Sequence, residues 1–298
     1  MMTRREAIAL LGSLSAGTLW SSTERRALAE PGQGDATPPL TPGTPLSPER
    51  VALIDAFKKE SEGVQASFEP RTHKSDWVMP YRLFRPKAPG KLPLVLFLHG
   101  SGGLGDDNVK QMGLGNIFGT RVWALPKNQT KFPCYVVAPQ TDRGWMRYGP
   151  PSPGDSVARV VPGLGDGARL ALEIVDALRR EFAIDERRIY VMGQSMGGGG
   201  AWHLTAQRPQ LFAAAVTCCG SPTLESALES ARTPIWNFHG TADQTVPVAV
   251  SRDRIAALRR AGARPLATEY AGVGHSVWEW AFTEPELAKW LFAQRRSG

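Results

Sequence analysis

Cysteine is nearly absent. Cys134, Cys218 and Cys219 are the three in 298 residues. Adjacent cysteines rarely bond to each other and the number is odd, which argues against a disulfide framework; all three read as buried small hydrophobes. Long hydrophobic runs are missing too: the mostly apolar stretch 7–20 has 14 residues, rich in Gly and Ser, too short to span a bilayer. The chain carries a formal net charge of +7, yet has no Lys/Arg run with interleaved aromatics, so nucleic acid is not an expected partner. No grouping of His, Cys, Asp and Glu has metal-ligand spacing, and no phosphate or dinucleotide fingerprint follows a first strand. Neither a metal nor a cofactor is expected, and no internal repeat is evident.

The N-terminus reads as an address. Met1-Met-Thr-Arg-Arg5 is a basic start, an apolar stretch follows, and Ala27-Leu28-Ala29 offers a small-residue cleavage site. Thr3-Arg4-Arg5 with Ile8 resembles a twin-arginine export signal, and Arg25 and Arg26 suit that route. Residues 1–29 are thus expected to be removed on export to the periplasm or medium of a bacterium, with no stable membrane anchoring. The formal charge then falls from +7 to about +5, by four arginines and two glutamates. Residues 30–47 are rich in Pro, Gly and Thr and read as a linker. Residues 48–298 suit one α/β domain with a large core. Ser47-Pro48 has the chemistry of a helix start, running to about Ser61. Val64–Phe68 and Trp77–Arg85 suit two antiparallel lead-in strands, and Leu170–Phe182 reads as a helix with Ala171, Ile174, Val175, Leu178 and Phe182 on one face. Strands then alternate with helices, which implies right-handed crossovers and a mostly parallel sheet.

Against this background one stretch stands out. Gly193-Gln194-Ser195-Met196-Gly197 follows an apolar run, Ile189 to Met192, and opens a helical segment. A serine with glycines at i−2 and i+2 is what a sharp, crowded strand-to-helix turn requires, with the hydroxyl pushed into the open. A helix N-cap is the bland alternative for Ser195. A base and its orienter lie downstream: Asp243 after the strand candidate Pro234–Phe238, and His275 after Ala267–Tyr270, each where a loop leaves a strand. Asp243 could instead be a turn residue, and Asp185 and Glu269 are weaker competitors for its role. His99 and His239 precede glycines at strand ends and read as loop fasteners; His73 and His203 carry no readable role.

From about Tyr81 to Leu291 the chain resembles the α/β-hydrolase superfamily, in particular small secreted esterases of the phospholipase/carboxylesterase and prolyl-oligopeptidase-like kind. The resemblance is carried by Pro93-Leu-Val-Leu-Phe-Leu-His-Gly-Ser-Gly-Gly103, Val122-Trp-Ala-Leu-Pro126, Pro133-Cys-Tyr-Val-Val-Ala-Pro-Gln140, Gly193-Gln-Ser-Met-Gly-Gly198 and Gly272-Val-Gly-His275. The order Ser…Asp…His is that of this superfamily. It implies an α/β fold with helices on both faces of the sheet, Ser195 as nucleophile, His275 as base and Asp243 as its orienter. It also implies an oxyanion hole from the N–H of Met196 with that of Ser101 or Gly102. The glycine run Gly197–Gly200 departs from relatives, which carry a larger residue there, and is expected to loosen packing under the turn.

About 14 residues separate Cys219 from Pro234, room for one short helix rather than a large lid. The cleft is therefore expected to be open, shaped by loops Gly102–Gly119 and Thr141–Gly165, with Trp145, Gln194 and Trp278 binding substrate and Met146 and Tyr148 beside them; core packing is the alternative for Trp145. The expected function is a secreted serine esterase acting on short-chain acyl or hydroxycinnamoyl esters, as small molecules or on polysaccharide. A serine peptidase is the alternative, and a non-catalytic binding protein a further one. Acyl and alcohol identity and oligomeric state are not legible.

Overall fold

The computed structural model describes residues 41–43, 47–149 and 159–297. The export segment and most of the expected linker lie outside the described residues. In chain order the strands are β1 (Thr41–Gly43), β2 (Phe68–Lys74), β3 (Val78–Phe84), β4 (Leu92–Leu98), β5 (Tyr135–Pro139), β6 (Met146–Gly149), β7 (Arg159–Leu164), β8 (Ile184–Gln194), β9 (Ala214–Cys218), β10 (Ile235–Gly240) and β11 (Leu266–Tyr270). Nine of them form one sheet in the order β1-β11-β10-β9-β8-β4-β5-β3-β2. β2 with β3 and β3 with β5 are antiparallel; every other pairing is parallel. Among the described residues this is an α/β-hydrolase arrangement without a large lid: β9 and β10 are joined by the short helix Leu224–Glu229 and one further turn.

β4 shows why the sheet is central. All seven of its residues are buried, because both faces are covered. Val95 and Phe97 pack into one core with Ile54, Phe118, Trp123 and Leu291. Leu94, Leu96 and Leu98 pack into a second core on the opposite face, with Leu170, Ile174, Leu178 and Trp202. Helix Asp166–Glu181 supplies that second layer through Ala171, Ile174, Val175 and Leu178, the stripe that the helical period marks. Each such large side chain taken out of water stabilises the fold by about 1.5–3 kcal/mol. Helix Pro48–Ser61 starts where the cap chemistry says it does, with the Ser47 hydroxyl accepting from the Arg50 N–H at 3.3 Å.

Three local expectations are corrected. Thr41–Gly43, within the expected linker, adds to the edge of the sheet by pairing with Thr268–Tyr270; such pairing uses backbone groups alone, so composition does not reveal it. The first lead-in strand lies at 68–74 and not at 64–68, where Glu62–Ser67 forms a 3₁₀ turn. Only Phe68 of β2 is buried, because it is an edge strand, and an edge strand shows no apolar run. The loop 141–165 contains an antiparallel pair, β6 with β7.

The glycine run does not loosen the core. A Cβ on Gly200 would lie 2.5 Å from Trp145 Cβ, and one on Gly199 would lie 3.0 Å from Met146 Cε. The space left by the missing side chains is filled by the loop residues that precede and open β6, which seat directly on helix Met196–Gln207.

Candidate active site

Ser195 sits between β8 and helix Met196–Gln207 with φ 52° and ψ −120°. That conformation costs a non-glycine residue on the order of 1–3 kcal/mol and persists only where its surroundings enforce it. The enforcement is visible. A Cβ on Gly193 would lie 2.0 Å from the Gly197 carbonyl oxygen, and one on Gly197 2.0 Å from that of Leu98. The flanking glycines are thus demanded by close backbone approach. The Ser195 N–H donates to the Cys218 carbonyl at 2.8 Å, tying the turn to the end of β9. The turn geometry, and the absence of a side-chain capping bond, set aside the reading of Ser195 as an ordinary N-cap.

The structure brings Ser195, His275 and Asp243 together from three loops at the C-terminal ends of β8, β11 and β10. His275 Nε2 lies 2.8 Å from Ser195 Oγ, and its Nδ1 lies 2.7 Å from Asp243 Oδ2. Ser195 and His275 are partly exposed, whereas the Asp243 side chain is wholly buried. Asp243 Oδ1 accepts from the N–H groups of Thr245 and Val246 at 2.8 and 2.9 Å. Burial would raise the pKa of this carboxyl, but the His275 contact and the two backbone N–H groups outweigh it and hold it below the usual range. Ala242 N–H donates to the Val273 carbonyl and the Cys219 thiol to that of His275, so the acid and base loops are fastened together. Cys219 has φ 41° and is buried, with its thiol pKa pushed up by desolvation. Asp185 pairs with Arg188 and Glu269 with Arg252, each engaged elsewhere.

Ser101 and Gly102 open a 3₁₀ turn, and Met196 opens a helix, positions whose N–H groups have no partner within their own element. The turn is closed by Gly103 N–H on the Gly100 carbonyl, and Gly100 N–H is held by Asn116 Oδ1 at 3.0 Å. A Cβ on Gly100 would be 3.5 Å from Ser195 Cβ, so this loop lies directly against the serine. His99 anchors it from below. Its Nδ1–H donates to the Gly100 carbonyl at 2.7 Å, its Nε2 accepts the Thr141 N–H at 3.2 Å, and its carbonyl accepts the Trp145 indole N–H at 2.8 Å.

Burial pushes the His99 pKa down to about 4. A base whose folded pKa lies below its unfolded value of about 6.5 gives stability that is complete above that value and is lost as pH falls through the folded one. The contribution is on the order of 3 kcal/mol. Urea denaturation compared at about pH 7.5 and about pH 4.5 should show this acid loss in the native protein and a clearly smaller one in His99→Gln. Equal losses in the two proteins would mean that His99 is charged in the fold.

Two of the expected substrate contacts are not at the cleft. Trp145 is fully buried, packed edge-on against the His99 ring at 4.8 Å. Its N–H is spent on the His99 carbonyl, so it supports the loop from inside the core. Gln194 is 3% exposed and lies beneath Gly100, because the residue before the serine is still part of β8 and points inward. Met146 is buried against helix Met196–Gln207, and the Tyr148 side chain lies outside the described residues. Trp278 does reach the site: it is partly exposed, with its ring edge-on to His275 at 5.5 Å.

Sequence reasoning missed Leu114. It is 77% exposed, has φ 47°, and its Cδ1 lies 4.0 Å from the Cβ position of Gly102. The next residue, Gly115, packs on the Trp278 indole. A lone Leu among glycines has no periodicity to flag it. Among the described residues, one cluster has the donor chemistry for a metal: Cys219, Asp243 and His275. Its carboxylate and imidazole are already hydrogen-bonded to each other.

Known proteins are similar to this chain in sequence and in fold. Residues 162–285 match the family described as phospholipase/carboxylesterase. Over 74 residues the chain is 32% identical to a bifunctional acetylxylan esterase/xylanase of Neocallimastix patriciarum, a stretch covering 25% of this chain and 11% of that protein. A thermostable esterase of known structure is similar at 35% identity and a TM-score of 0.71, over 78% of this chain and 64% of that one. A ferulic acid esterase structure is similar in fold at 15% identity and a TM-score of 0.56, over 76% of this chain and 98% of that one. The chain thus spans less than two thirds of the thermostable esterase and about a tenth of the curated relative.

Proposed function

The chain belongs to the α/β-hydrolase superfamily, and from that premise we propose that it is a secreted serine carboxylesterase working through an acyl-enzyme. The observation that carries the proposal is the contact series Ser195 Oγ to His275 Nε2 at 2.8 Å and His275 Nδ1 to Asp243 Oδ2 at 2.7 Å. His275 takes the Ser195 proton as Oγ bonds to the ester carbonyl carbon. The carbonyl oxygen becomes an oxyanion, received by the N–H of Met196 and that of Ser101 or Gly102. Loss of one such donor typically costs about 2.7–4 kcal/mol in the transition state. The C–O bond to the alcohol then breaks as His275 returns the proton to it. Water then gives a proton to His275 as its oxygen bonds to the acyl carbon, and the bond from that carbon to Ser195 Oγ breaks as His275 passes the proton to Oγ, releasing the acid. Asp243 holds the imidazole in the tautomer that keeps Nε2 free to accept, and stabilises the imidazolium.

The substrates are short-chain acyl or hydroxycinnamoyl esters, including those attached to polysaccharide. The acetylxylan esterase relative and the open approach past the exposed Ser101, Gly102 and Leu114 support this. Leu114, against Gly102, and Trp278, beside His275, supply an apolar wall to the cleft. Residues 1–29 form a twin-arginine-type export signal, and 30–47 a linker interrupted by the edge strand.

A fluorophosphonate probe, followed by a panel of acetyl-xylan, feruloyl and nitrophenyl esters with peptide amides as contrast, tests the reading. One label per chain, lost in Ser195→Ala, together with ester turnover, is expected. Label with amide turnover alone would make the protein a peptidase. Neither label nor turnover would make it a binding protein on the same fold.

A further inference from the structure

Asp243 has a second histidine. His239, at the end of β10, places Nε2 3.2 Å from Asp243 Oδ2 and 2.8 Å from the Val246 carbonyl. Its Nδ1 lies 2.6 Å from the hydroxyl of Ser251, on helix Val248–Arg260. The ring is fully buried, and desolvation lowers its pKa, so it carries one proton. Both neighbours of Nε2 are acceptors, which places that proton on Nε2; Nδ1 then accepts from Ser251. The opposite tautomer would aim a lone pair at a carboxylate and a carbonyl together. The resulting series, Ser251–His239–Asp243–His275–Ser195, repeats on the buried side of the aspartate the serine–histidine arrangement on its exposed side.

We propose that His239, keyed by Ser251, is a positioning residue for catalysis: its Nε2–H fixes the rotation of the Asp243 carboxylate so that Oδ2 stays aimed at His275. The physical reason lies in how the carboxylate is held. Thr245 and Val246 N–H groups hold Oδ1, whereas at Oδ2 the partner besides His239 is His275, the ring that the carboxylate has to orient. The His239 donor closes the other edge. It also draws part of the Oδ2 charge away from His275. Titratable groups facing this cluster are Asp243, His275 and Cys219, the last kept as a neutral thiol by burial.

The inference rests on the triad reading, and a volume-matched pair of variants separates the two. His239→Leu removes the donor, whereas His239→Gln keeps an N–H near the position of Nε2. His239→Leu should lower kcat by about tenfold to a hundredfold at unchanged KM. The acid limb of its kcat/KM profile should move to higher pH, because the full Asp243 charge then acts on the His275 imidazolium. His239→Gln should restore most of kcat and the original limb. If His239→Leu does not fold, Ser251→Ala, which deletes one buried hydroxyl, should lower kcat several-fold with the same displacement. Wild-type kinetics in the folded variants, or equal kcat losses in Leu and Gln with an unmoved limb, would overturn the inference. If Asp243→Asn stays active, the triad reading has failed; if it is inactive while His239→Leu is normal, this inference alone has failed.

Discussion

Ser195→Ala, His275→Ala and Asp243→Asn should each lower ester turnover by about three orders of magnitude or more, while the chain stays folded. The reason differs at each position. In the proposed mechanism Ser195→Ala removes the oxygen that would bond to the acyl carbon. His275→Ala leaves that oxygen with its proton and no acceptor at 2.8 Å. Asp243→Asn is nearly isosteric, but Oδ2 accepts from His275 and lies 3.2 Å from His239 Nε2, while Oδ1 accepts from Thr245 and Val246. An amide nitrogen cannot accept on either edge, so it either meets two backbone donors or turns the His275 ring into the wrong tautomer. The losses do not add on combination, since the three act as a unit. Single-turnover measurements with a nitrophenyl ester check this, with circular dichroism as the control for folding. Asp243→Asn with near-native turnover would transfer the acid role to another carboxylate.

The second large effect falls on stability. Trp145→Ala should destabilise the protein by about 3–5 kcal/mol, the cost of emptying a fully buried large aromatic site. It also orphans the His99 carbonyl that accepts its indole N–H. Gly200, which packs against Trp145 on the facing helix, has no side chain to fill the hole. The melting temperature should fall by on the order of 10 °C. Activity should fall alike for acetyl and feruloyl esters, through the loop that His99 anchors. A selective loss of feruloyl turnover at unchanged melting temperature would return Trp145 to the cleft wall. Calorimetry and the ester panel together decide it.

Trp145 also shows where sequence reading stops. Its place in a loop near the cleft suggested a substrate contact; its burial depends on Gly200, some fifty residues later, whose missing side chain leaves room for it on helix Met196–Gln207. Gln194 is a similar case, since adjacency to the serine says nothing about which side of β8 a side chain leaves from. Leu114 and Ser251 were invisible for the opposite reason, and His239 was legible as a loop fastener but not as a partner of Asp243. Their neighbours in space, Gly102 and Asp243, give no pattern that marks out a single Leu or a helix serine.

The sequence by itself determined the parts whose cause is local. The all-apolar β4, the capped helix at Ser47, the amphipathic stripe of Asp166–Glu181 and the alternation of strand and helix follow from periodicity and capping. The glycines around Ser195 are equally local, because the steric demand they meet comes from the turn they belong to. Ser195, Asp243 and His275 were legible because each ends a strand of a parallel sheet, and such a sheet gathers those ends on one edge. Tertiary structure decided the 2.7 and 2.8 Å contacts among them, the hold on Asp243 from its buried side, and which aromatics face solvent. Those depend on distances between segments far apart in the chain, and such distances are set by packing two cores against one sheet.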